Sequence, residues 1–145
     1  DSYYIGNVYF SHANPFFYGD WRYLENNQNL IESFKELKKK KVFAGVFGHS
    51  HRKLFVGHKK NVLCKIDNFS KVINNDIEQL IINVASIGQP RGKGLGYALL
   101  NLRNNKLNEV SYKKINIDFK NSIELIKKTR FSKNTKKKLI NYLKI

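Results

Sequence analysis

Apolar positions in this chain come in short runs, and most of the runs have the length and residue types of strands. Val42 to Phe47 is apolar, rich in β-favouring residues, and stops at Gly48. Gln79 to Val84 is a second such run. Tyr3 to Phe10 is aromatic and β-branched around Gly6-Asn7, which predicts a short hairpin or two short strands. Arg52 to Ile66 alternates loosely, as one or two strands broken at Gly57 and at Lys59-Lys60-Asn61, and Asp67 closes the run. Tyr97 to Leu102 and Glu109 to Asp118 flank Arg103 to Asn108, where Asn104-Asn105 signals the turn of a β-hairpin.

Helical spacing appears in three places. Leu30, Phe34 and Leu37, with Ile31 beside them, predict a helix opening at Asn29, with Glu32 as a capping partner. Lys38 to Lys41 then complement the negative end of its dipole. Two amphipathic helices follow near the end, about Asn121 to Thr129 with Ile123 and Ile126 inward, and about Ser132 to Leu143 with Leu139, Ile140 and Leu143 inward. Ser132 is the expected N-cap. Phe16 to Asn29 has no period and reads as a loop, whose Trp21 and Tyr23 either line the mouth of a cleft or cover the core. The mixture is α/β. No internal repeat and no Pro/Ser-rich linker divides the chain, so residues 1–145 are expected to form one domain.

The candidate chemistry sits where strands end. Ser11-His12-Ala13-Asn14-Pro15 follows the first aromatic stretch, and Asn14-Pro15 stops the strand. Gly48-His49-Ser50-His51 follows the second. If the backbone stays extended there, His49 and His51 point to one face with roughly 6.5 Å between Cα atoms. Two imidazoles so placed can each reach one of two metal ions held about 3.5–4 Å apart. The other reading of the tetrapeptide is an exposed polar turn with solvated histidines. His58, after Gly57, has no second histidine two residues on and is expected in an exposed turn.

Gly48-His49-Ser50-His51 resembles the final motif of the calcineurin-like metallophosphoesterases. Phe10-Ser11-His12-Ala13-Asn14-Pro15 upstream agrees with that family at about the right distance. Asn83-Val84-Ala85-Ser86-Ile87-Gly88-Gln89-Pro90-Arg91 is similar to the Asn-x-Gly-Ser-x-Gly-Gln-Pro-Arg segment of its small bacterial and archaeal branch, with Ala85 where the family has Gly. The resemblance implies the C-terminal half of a four-layer α/β/β/α sandwich and a two-metal phosphatase or phosphodiesterase. It implies that His12 and His49 bind one divalent ion and His51 the other. In the glycine-rich stretch Ser86 to Gly96, the Arg91 guanidinium is expected either to approach phosphate oxygens or to form a structural salt bridge, and Asn14 is expected at the substrate. Neutral imidazole suits Mn, Zn, Fe or Co better than Mg.

The family's Asp-x-His, Gly-Asp and Gly-Asn-His segments are not found in the required order, and the leaving-group histidine is expected upstream. Gly19-Asp20 is no substitute, because it follows His12 where the family's Gly-Asp precedes it. The chain also starts at Asp1 and contains no Met, so a fragment or processed piece is expected.

Composition adds bounds. No apolar run approaches the roughly 20 residues needed to cross a bilayer, and the single Cys64 cannot form an internal disulfide. A cytoplasmic protein that does not bind membranes is expected, with Cys64 as a small buried apolar side chain and no oligomeric state specified. The net charge is +16. Most of the lysines are scattered, as on a solvated surface, and their field favours phosphate-bearing ligands. A non-catalytic basic nucleic-acid-binding domain is the competing class.

Overall fold

The computed structural model describes residues 2–60, 62–66, 70–72, 76–92 and 94–144. In chain order its elements are β1 (Ser2–Ile5), β2 (Val8–Ser11), α1 (Asn27–Lys39), β3 (Ala44–Phe47), β4 (Leu54–Lys59), β5 (Val62–Lys65), β6 (Ser70–Val72), β7 (Gln79–Asn83), β8 (Gly96–Arg103), β9 (Lys106–Lys114), α2 (Lys120–Lys128) and α3 (Lys133–Leu143). They form a mixed α/β fold with two sheets. The larger has the order β1-β2-β3-β7-β4-β5 and the smaller β6-β9-β8. In the larger sheet β2, β3 and β7 run parallel, while β1, β4 and β5 join antiparallel.

Period-two alternation sorts the strand residues between two cores. Tyr9, Phe47, Val56 and Ile81 face α1 and pack with Leu30, Phe34 and Leu37. Val8, Val46, Phe55, Leu80 and Ile82 face the other way and meet Leu107 and Val110 of β9. Helix, sheet and sheet therefore stack as three layers. Gly45 lets the helix-side packing close, since a Cβ there would sit 2.5 Å from the Phe47 ring and 3.0 Å from Leu37. The β1–β2 turn docks on the second sheet, where Asn7 N–H donates to Asn105 O (3.0 Å) and Asn7 Oδ1 accepts from Leu107 N–H (2.8 Å).

Several local expectations change. α1 opens a turn earlier than expected, at N-cap Asn26, whose side chain accepts from Asn29 N–H (2.8 Å), and Glu32 bonds Arg22 and Gln28 instead of capping. Gly57 lies within β4 and does not break it. His58 is on that strand, stacked on Phe34 at 5.0 Å, so it is no exposed turn residue. Cys64 is half-exposed on β5. The β8–β9 turn tightens to Asn104-Asn105, both at positive φ as a two-residue hairpin turn requires. Strand β6 had no sequence counterpart, and Asp67 lies outside the described residues. Ser132 caps α3 as expected. No described helix is long and apolar enough to cross a membrane.

Candidate functional site

Register brings the motifs together. Phe10 of β2 faces Val46 of β3, and Phe47 faces Asn83 of β7, so three parallel neighbours end at one edge. Gly48 N–H donates to His12 O (2.8 Å), and Val84 N–H to Phe47 O (2.9 Å), extending both ladders beyond the strands. His12, His49 and the loop of residues 84–91 thus emerge side by side at the carboxyl ends of the strands, where open α/β sheets place their ligands. β4 starts against Asn83, which delivers Arg52 and Lys53 to the same edge.

The backbone between the two later histidines is not extended. His49 has φ 57° and His51 φ 59°, both left-handed, and Ser50 N–H closes a three-residue turn on Gly48 O (2.6 Å). Such conformations cost a non-glycine residue about 1–3 kcal/mol and persist where surrounding contacts over-determine them. Here the contacts converge on buried Ser50, whose Oγ accepts from Asn83 Nδ2 (3.0 Å) and from Arg52 N–H (3.2 Å). Asn83 is itself buried, and its Oδ1 has no partner among the described residues.

The turn sends the two imidazoles to different neighbours. The His49 ring lies 5.2 Å from that of His12, 5.4 Å from Trp21 and 4.8 Å from Tyr23, on which it stacks. Burial first, and then the nearby His12, lower the His49 pKa below the usual histidine value, so the ring is held neutral with a lone pair to give. His51 Nδ1 lies 2.7 Å from Gln89 O. A carbonyl only accepts, so Nδ1 carries the proton and Nε2 is left as the basic nitrogen. Arg91 N–H donates to His51 O (3.1 Å), so the 89–91 segment grips His51 twice.

Asn14, expected at the substrate, is spent within its own loop. Its Nδ2 donates to Asp20 O, Asp20 Oδ1 and Arg22 O, and its Oδ1 accepts from Phe16 N–H. Only 5% of the residue is exposed. Asp20 is also engaged, with a hydrogen bond from Arg22 holding its carboxyl below the usual range. Arg91 donates to Tyr23 OH (3.2 Å) and Gln89 Oε1 (3.3 Å), and its Nε has no partner among the described residues. Trp21 lies against the His12 and His49 rings and Tyr23 against that of His49. Ser50, Asn83 and Gln89 were not singled out from sequence as positioning residues. The small polar residue between the two histidines was the available signal.

Imidazole nitrogens and an amide carbonyl oxygen are donor types that suit a divalent transition metal. They do not complete a two-metal set. Among the described residues no group of three or more His, Cys, Asp or Glu is arranged to hold a metal ion.

Neither a protein-family model nor a curated protein matches the sequence. The fold is similar to the crystal structure of a metallophosphoesterase from Sphaerobacter thermophilus, with a TM-score of 0.70 and 16% identity over 96% of this chain. The chain spans 57% of the length of that structure. The fold is thus metallophosphoesterase-like.

Proposed function

We propose that this chain carries part of the metal centre of a metal-dependent phosphoric ester hydrolase. The observation that supports it most is the meeting of His12 and His49 at the carboxyl ends of adjacent parallel strands, rings 5.2 Å apart. In this reading His12 and His49 hold one divalent ion, of Mn, Zn, Fe or Co type, and His51 holds a second through Nε2. Divalent ions held there would supply Lewis-acid polarisation of a phosphoryl group and activation of water. Gln89 fixes the His51 tautomer, Ser50 and Asn83 hold the turn, and Arg91 offers its guanidinium to phosphate oxygens. The Asp-x-His, Gly-Asp and Gly-Asn-His segments that the resemblance implies are not found in the required order in this sequence.

The test is hydrolysis of p-nitrophenyl phosphate mono- and diesters by this chain with added Mn²⁺. The expected rate equals that of His49→Ala, because half of the ligands are missing. Robust turnover abolished by His49→Ala would contradict the division of the site.

A further inference from the structure

We infer that the surface running from Trp21 across the histidines to α3 is a track for single-stranded nucleic acid. The inference rests on the phosphoesterase reading only for the chemistry at its centre.

Aromatic faces form one end. Trp21 is 56% exposed and Tyr18 87%. Scattered surface aromatics need no explanation, but these stand on a loop tied down by the Asn14 amide, the Asp20–Arg22 ion pair and the Arg22 guanidinium over Phe16 at 4.2 Å. The loop is fixed while its rings face water, which is the arrangement of a stacking platform. It adjoins a cavity of about 310 Å³ that His12 and Trp21 both line.

Cations form the other end. Arg91 bonds Tyr23, lies 5.6 Å from the Tyr142 ring, and keeps a buried Nε without a partner among the described residues. A second cavity, about 340 Å³, is lined by Arg91, Lys138 and Tyr142 and leads onto α3. The eleven residues of α3 include four lysines and no acid. Aromatic rings therefore stand on one side of the histidines, and cations with the Tyr142 ring on the other, which together match the stackable bases and the phosphodiesters of a single strand. A duplex hides its base faces and can use only the cations. A free phosphate or mononucleotide would occupy only the centre.

Anisotropy of a labelled oligothymidylate of about 12 nucleotides, a length within the range of known single-strand sites, tests this with the intact chain in chelator. Quenching of Trp21, the only tryptophan, gives a second readout. Binding is expected to quench Trp21 and to exceed that of a duplex of equal length and of thymidine 5′-monophosphate. Trp21→Ala should weaken it about tenfold, the loss of one stacked base. Lys138→Gln should reduce the dependence of log K on log salt by about 0.7. Equal affinity for duplex, or binding indifferent to both substitutions, would overturn the track. With no metal present, that failure is separate from failure of the metal site.

Discussion

His49 is a residue whose surroundings decide its chemistry. Its ring is stacked on Tyr23 beside His12, and burial lowers its pKa. A histidine with a depressed pKa binds fewer protons folded than unfolded, so its contribution to stability is intact above the unfolded value of about 6.5 and diminishes as pH falls through it. Proton NMR of the histidine ring signals should therefore give His49 a midpoint below about 6.5. A midpoint at or above that value would show the ring to be solvated. Asn14 acts through hydrogen bonds alone. Asn14→Ala strands the groups it joins and should cost about 1–3 kcal/mol in denaturant melts, while freeing Trp21 emission to shift toward that of a solvated indole.

At the scale of elements, the strands that build the site were legible because each is an apolar run cut off by His, Gly or Asn. β2, β3 and β7 end within a residue or so of where Phe10, Phe47 and Val84 suggest. The left-handed turn at His49 and His51 was not legible. Histidine is enriched at positive φ among non-glycine residues yet adopts it seldom, and the conformation depends on Ser50 meeting Asn83 from a strand distant in sequence. The hydrogen bonds of Asn14 were not legible for a related reason. Its partners Asp20 and Arg22 are local, yet the loop between them has no period to predict their approach. Gly45 gives a check on the packing that carries the site: Gly45→Ala drives a methyl into the Phe47 ring against α1 and should destabilise the fold by about 1–3 kcal/mol. A neutral effect in thermal melts would show a looser helix–sheet contact.

For the whole molecule, the fold and the charge point the same way. A metallophosphoesterase-like α/β scaffold brings the histidine motifs to one edge, and the net charge of +16 gives the molecule as a whole a field that attracts anions. Cobalt titration, followed by its visible absorption, tests the central claim most directly. The account predicts that Co²⁺ binds the chain, and that His12→Ala and His49→Ala each weaken it by about tenfold or more, with His58→Ala, on the helix-packed strand β4, without effect. Binding unchanged by His12→Ala and His49→Ala, or weakened as much by His58→Ala, would contradict it.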